Sequence, residues 1–433
     1  MRRIKKLMTA VLLLCMTMCF AGCGEEKLVS EDFNRANPAN YSMNPIMKTD
    51  TGYYYNDSKF KDLNLHYYDA ENGKSMYLCN KPECRHDGNE FCAATSDKYK
   101  VIDTVMYSGS IFISVVEETQ SSYDFKLLKA SADGSSLSEL VTFFSTDNIA
   151  LMPIQNYKPV KNMAIHRNKA FLPYTLANEK YGEVGINGTA IYDLETGELT
   201  YLGEPDGDLA SQDGKFCGFG DYMYFVTSQK YKTELYRYSY DVGSVEKVEL
   251  KMGFKGNYTI FDENTIFYNR GIGELWMYHE DTKENMQIDI EDFWGYWEEI
   301  ETKDGKERHQ IGGSSWLDIL SDGEYVYVSD GFSYDICHKI NEQEIESLNK
   351  TMDFAEVIIL DNQGNLVNEV RFSPKYMLGY QDYYNLHFVD NTVYMQTPVM
   401  VYECSRADFI AGNANFKECY PIDINIRSAK ELE

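Results

Sequence analysis

Short runs of alternating apolar and polar residues, interrupted every few positions by Gly, Asn or Asp, fill the chain from about residue 50 onward. A period of two predicts half-buried strands rather than helices. One unit recurs: an apolar strand, a polar turn, then a second strand with an aromatic near its middle. Copies stand at 106–113, 165–171, 218–224, 260–267, 320–327 and 387–394, and Tyr53-Tyr54-Tyr55 reads as a degenerate first copy. The turn residues suit the positive φ of tight hairpins. A second hairpin follows most copies, as at 65–74, 190–198 and 357–365. Two hairpins per unit make four antiparallel strands.

The aromatic markers Phe112, Phe171, Tyr224, Phe267, Tyr327 and Tyr394 follow one another at 43 to 67 residues. A four-stranded propeller blade takes about 40–50 residues, so the excess is insertion. The predicted fold is all-β, a β-propeller of four-stranded antiparallel blades. Seven blades are favoured, with six or eight as alternatives. A pair of β-sandwich domains is the competing architecture, because its strands are also short and turn-bounded. Regular hairpin pairing favours the propeller.

In an antiparallel blade with strands A to D, the A–B and C–D turns share one face and the B–C loops and D–A links the other. Residues 80–98, 145–161 and 291–313 are expected as long D–A links, and 176–188 and 331–354 as long B–C loops. All five would then lie on one face, and long loops on a rigid scaffold are where binding usually resides. Within them, Trp294, Tyr296 and Trp297 stand among acidic residues and form a candidate sugar-stacking set. The competing reading is that they cover the propeller's own end. Residues 341–352 are expected as a short helix with Ile345, Leu348 and Met352 on one side.

The N-terminus follows a different pattern. Arg2, Arg3, Lys5 and Lys6 precede an uncharged apolar run from Leu7 to Phe20, which fits a signal peptide and is short for a membrane span. Cys15 and Cys19 follow Leu14 and Met18, which are too large for a signal-peptidase cleft. Cys23 follows Phe20-Ala21-Gly22 and resembles the lipobox of bacterial lipoproteins, with Phe where Leu is usual. That resemblance implies cleavage after residue 22 and a diacylglycerol thioether on Cys23. Ordinary secretion with a free thiol is the alternative. The expected organisation is a signal peptide over 1–22, a lipid-anchored flexible tether over 23–48 and one propeller over 49–433. Such a tether would reach about 25 Å.

The formal charge of −27 becomes more negative still once the basic leader is removed. A surface this acidic repels nucleic acid and anionic head groups, so the membrane contact expected is the lipid alone. No Walker loop, dinucleotide fingerprint, G-x-S-x-G or H-E-x-x-H motif occurs, so an enzyme is the less favoured class.

One cluster carries chemistry. Cys79, Cys84, His86 and Cys92 follow the spacing C-x4-C-x-H-x5-C, with Pro82 and Gly88 to fold the chain back. Three thiols and an imidazole suit a closed tetrahedral zinc shell, structural rather than catalytic because no position stays open for water. One His among four ligands suits zinc better than an iron–sulfur cluster. A disulfide within the cluster is the alternative, and export permits it. Beyond Cys23, seven cysteines remain after the leader, an odd number that cannot all pair within one chain.

Taken together, the chain resembles the uncharacterised β-propeller lipoproteins of Gram-positive bacteria, on the lipobox, the cysteine motif and the hairpin repeats. The resemblance implies an extracytoplasmic binding or scaffolding role without an established enzyme activity. The expected function is a membrane-anchored propeller that binds a protein or glycan through its long-loop face. An extracytoplasmic hydrolase or lyase and a structural envelope-assembly protein are the alternatives. Replacing Cys23 by Ala is expected to abolish labelling by fatty-acid precursors and release the protein into the medium. Retention of Cys23→Ala on the membrane would defeat the assignment.

Overall fold

The computed structural model describes residues 47–56, 62–87, 92–147, 151–153, 163–178, 184–203, 209, 216–229, 232–270, 274–290, 296–302, 305–311, 317–330, 355–372, 385–396 and 400–421. Cys23, the leader, the tether as far as residue 46, Trp294 and the 331–354 segment lie outside them.

The chain is all-β, and its antiparallel sheets form a β-propeller. Strands β1 (Met47–Lys48), β2 (Gly52–Asn56), β3 (Asp62–Asp69), β4 (Lys74–Tyr77), β5 (Thr95–Tyr107), β6 (Ser110–Glu118), β7 (Tyr123–Ser131) and β8 (Leu137–Thr146) belong to one eight-stranded sheet. Five blades then stand as separate sheets. The first contains β10 (Ala164–His166), β11 (Lys169–Asn178), β12 (Val184–Asp193) and β13 (Leu199–Tyr201), with β9 (Leu151–Pro153) added beside β11. The second contains β14 (Phe216–Phe219), β15 (Tyr222–Gln229), β16 (Lys232–Ser239) and β17 (Val245–Lys247). The third contains β18 (Phe254–Asp262), β19 (Thr265–Arg270), β20 (Glu274–His279) and β21 (Glu284–Ile288). A hairpin, β22 (Tyr296–Thr302) and β23 (Gly305–Ile311), precedes the fourth blade of β24 (Leu317–Ser321), β25 (Val326–Asp330), β26 (Ala355–Leu360) and β27 (Leu366–Phe372). The fifth contains β28 (Asn385–Val389), β29 (Thr392–Gln396), β30 (Met400–Ser405) and β31 (Lys417–Pro421), with the one-turn helix α1 (Arg406–Ile410) after β30.

The favoured count of seven separate blades is therefore corrected to five, because β3 hydrogen-bonds to β5 as well as to β4. Asn64 pairs with Thr95 and Leu63 with Ser96, a bulge then brings Asp62 opposite Lys100, and the Lys100 ammonium forms an ion pair with the Asp62 carboxylate. That bridge merges β1–β4 and β5–β8 into one sheet. Two expected loops are corrected as well. Most of 176–188 is the ends of β11 and β12, and most of 291–313 is the β22–β23 hairpin.

The local chemistry follows the repeat. All six aromatic markers are buried in the second strand of their unit. Most first turns take positive φ, as at Gly109, Asn168, Gly220, Gly323 and Asp390. At the second turns an Asp carboxylate accepts the next backbone N–H groups: Asp69 from Glu71 and Asn72, and Asp193 from Glu195 and Thr196, each at 2.9–3.0 Å. This Asx cap fixes the turn without help from the rest of the fold.

Packing between sheets makes the ring. Buried apolar side chains form seven clusters, each joining one sheet, or half of the first sheet, to its neighbour. The closing cluster sets Tyr53 and Tyr55 of β2 against Tyr394, Val401 and Tyr420 of the last blade. The Tyr53 and Tyr420 rings stack at 4.5 Å. Among the described residues, no strand is exchanged between the first and last sheets. Among the described residues the ring closes on side chains.

Two polar bonds stitch first strands to the start of the next. Asn257 in β18 donates from Nδ2 to the Leu317 carbonyl at 2.8 Å. Asp103 in β5 accepts the Met163 N–H at 2.7 Å and the Thr104 N–H at 2.8 Å. Burial pushes the Asp103 carboxyl up to about 7, against the pull of those two N–H donors. An unfolded Asp loses its proton near pH 3.9, so between about pH 4 and 7 the folded state holds the extra proton. Stability contributed by this group is present at the acid end and falls as pH rises toward 7. Asp103→Asn is expected to flatten that part of the stability–pH profile and to cost about 1–3 kcal/mol by leaving an N–H without an acceptor. Urea unfolding at pH 5 and pH 8 checks both; an unchanged slope between them would contradict the assignment.

Candidate metal centre

The site is built on β3. Strand β4 pairs with residues 66–69 of β3, and β5 pairs with residues 62–64. The link between β4 and β5 has both ends pinned to a single residue: the Leu78 N–H donates to the Leu65 carbonyl at 3.0 Å, and the Leu65 N–H donates to the Ala94 carbonyl at 2.8 Å. Cys79 and Cys92 lie just inside these pins, so backbone pairing alone brings them together. Between them, Lys81-Pro82-Glu83-Cys84 makes a turn closed by the Cys84 N–H on the Lys81 carbonyl at 3.1 Å. Proline supplies the fixed φ that the second turn position wants. His86 takes a φ of 53°, which returns its ring toward the cysteines.

The result gathers all four side chains. The sulfurs of Cys79, Cys84 and Cys92 and a ring nitrogen of His86 lie within 4.8 Å of one another. The Cys92 sulfur is 3.6 Å from His86 Nδ1 and accepts the Thr95 hydroxyl at 3.1 Å. Donors about 2.3 Å from a central ion in a tetrahedron stand about 3.8 Å apart, so the set is close to a closed shell. The cluster could hold a metal ion with three sulfurs and one nitrogen. All six described cysteines are free thiols.

Surrounding groups hold the shell. The His86 ring stacks on Tyr77 at 4.6 Å, Tyr77 lies 4.6 Å from His66, and His66 stacks on Tyr55 at 5.3 Å. His66 is buried, and its burial, with His86 nearby, lowers its pKa to about 4. Gly134, in the turn after β7, presses on the start of the link. A Cβ there would come within 2.7 Å of the Leu78 carbonyl carbon and 2.8 Å of the Cys79 nitrogen. The Gly134 carbonyl also accepts the Asn80 N–H at 3.2 Å.

Electrostatics within the cluster are opposed. Burial raises the Cys79 thiol, but the N–H groups of Ala93 and Lys81 and the neighbouring thiols outweigh it and leave Cys79 below the usual thiol range. The His86 N–H pulls Cys84 down, yet burial and the other two thiols raise it overall. Adjacent thiols resist ionising together, and a bound dication removes that conflict by stabilising every thiolate at once.

All four cysteine and histidine positions singled out in the sequence are thus brought together. Tyr296 and Trp297 are the first two residues of β22, paired with Ile311 and Gln310, while Trp294 lies outside the described residues. Sequence reasoning missed Thr95, Tyr77 and Gly134, which are distant or ordinary in sequence. Only the Gly at a second-turn position gave any signal. Among the described residues no helix is long and apolar enough to cross a membrane.

No known protein family and no curated protein matches the chain in sequence. Solved structures are similar in architecture. TolB from Acinetobacter baumannii is 14% identical, with 92% of this chain and 91% of that one covered and a TM-score of 0.31. BamB from Moraxella catarrhalis is 12% identical over 82% of this chain and 91% of that one, at 0.37. The β-propeller domain of the Trilobed protease from Pyrococcus furiosus is 11% identical over 74% and 83%, at 0.38. At these values the likenesses carry no functional argument.

Gly134→Ala is expected to destabilise the fold by about 1–3 kcal/mol through a strained φ and a backbone clash. It should also weaken metal uptake, because the clash falls on Cys79. Thermal unfolding together with a metal titration checks this, and unaltered affinity would separate Gly134 from the shell.

Proposed function

We propose that the protein is a lipid-anchored, extracytoplasmic β-propeller that binds a protein or glycan partner through the face carrying its D–A links. The Cys79–Cys84–His86–Cys92 shell holds a structural zinc ion on that face. The observation that carries the reading is the shared origin of the elaborated segments. The cysteine-bearing link, the added strand β9 and the β22–β23 hairpin all interrupt the passage from the last strand of one unit to the first of the next. In an antiparallel blade those passages share one edge with the B–C loops. The pairing of β9 with the end of β11, where the B–C connection begins, fits this.

Zinc is favoured among metals by the sulfur-rich donor set with one imidazole and no carboxylate. Anchoring rests on the Cys23 lipobox.

Protein purified without chelator is expected to carry one zinc per chain, and Cys84→Ser to lose it; metal-free protein from zinc-buffered medium would remove the zinc reading. Replacing residues 296–311 by a short Gly-Ser linker is expected to abolish glycan-array or partner binding while leaving the melting transition cooperative. Equal binding by both forms would count against the loop-bearing face.

A further inference from the structure

The three thiols of the shell are not equivalent, and the difference bears on how the site would be regulated. Cys92 is only 4% exposed, its sulfur takes the Thr95 hydroxyl, and His86 Nδ1 stands beside it. Cys79 and Cys84 are half-buried and reachable from solvent. Cys84 ends the Lys81–Cys84 turn and Cys79 stands two residues before it, and the turn's backbone bond folds Cys84 back toward Cys79. The remaining described thiols are poor competitors. Cys217 and Cys404 are buried, and burial raises Cys419 to about 12, so it stays protonated.

We infer that Cys79 and Cys84 form an oxidation site that releases the metal, an inference that rests on the zinc reading above. The oxidant class is a peroxide. One thiolate attacks a peroxide oxygen, the O–O bond breaks, and a sulfenic acid forms with loss of hydroxide. The second thiolate displaces the sulfenic oxygen, which leaves as a second hydroxide. One S–S bond is made, two thiolates have lost two electrons in all, and the peroxide is reduced to two waters once two solvent protons are taken up. Cys92 and His86 then remain as the only protein donors. Two ligands do not complete a tetrahedral shell, so the ion leaves. The odd third thiol is the one shielded by Thr95, which keeps it from competing for the disulfide.

Loss of the ion frees the link at the place where β4 leaves β3 and β5 joins it. The expected structural consequence is local: the β3–β5 bridge loosens, and the peptide bond after Arg85 opens to trypsin, while the other blades keep their packing.

The test uses the full chain purified without chelator, treated with hydrogen peroxide in the presence of a chromogenic zinc chelator. Cross-links are mapped by mass spectrometry. The inference expects one equivalent of zinc released in step with a Cys79–Cys84 cross-link, faster tryptic cleavage after Arg85, and recovery of zinc binding after dithiothreitol and zinc. Zinc that stays bound under peroxide, or a cross-link through Cys92, overturns this inference and leaves the zinc reading intact. Protein that takes up no zinc from a buffered solution overturns the zinc reading and this inference with it.

Discussion

Every sheet in this ring has two apolar faces, and neither can be left to water. A lone four-stranded antiparallel sheet of this composition would expose both sides of nearly every strand. Burying apolar area is worth about 25 cal/mol per Å², so each sheet is stable only between two neighbours. The second-strand aromatics are the main contributors: Phe171, Phe267 and Tyr394 are fully buried in the clusters that join their sheets to the next. The turns, the Asx caps and the stitching bonds of Asp103 and Asn257 then set register and spacing. They refine an arrangement that inter-sheet burial already requires.

The cysteine cluster solves a local problem in that arrangement. The link from β4 to β5 has little apolar content of its own, and β3 has only one free edge to offer two strands. Pinning both ends of the link to Leu65 resolves the competition at the backbone. The side chains gathered between the pins are soft or borderline donors, and the three cysteines pack against the apolar cluster around Leu63, Leu65 and Leu78. The stack from His86 through Tyr77 and His66 to Tyr55 joins the site to the strand that closes the ring.

Features encoded within a few residues were legible in the sequence. The first turn, the buried aromatic after it and the Asp-capped second turn each need only local chemistry, and the structure has them where the repeat put them. The four clustered ligands were legible for the same reason, being fourteen residues from end to end. The β3–β5 bridge was not. It depends on which strand wins a shared edge, and nothing local to Asp62 or Lys100 announces it. The stretches 176–188 and 291–313 read as loops because their polar content hid the alternation of β11, β12 and the β22–β23 hairpin. Asp103 was one acid among 68 acidic residues, and only the approach of Met163 singles it out.

The way the ring closes has a mechanical side. Backbone hydrogen bonds loaded in shear resist pulling far better than bonds opened one at a time. Among the described residues the first strand, β1, is two residues long and pairs with β2 alone. Tension drawn through the N-terminal end would therefore peel β1 and bear directly on the tyrosine seam of Tyr53, Tyr394 and Tyr420, with no exchanged strand among the described residues to share it. The disc behaves as a split washer: stiff against compression toward its axis, and opened most easily by force applied at its own N-terminal end.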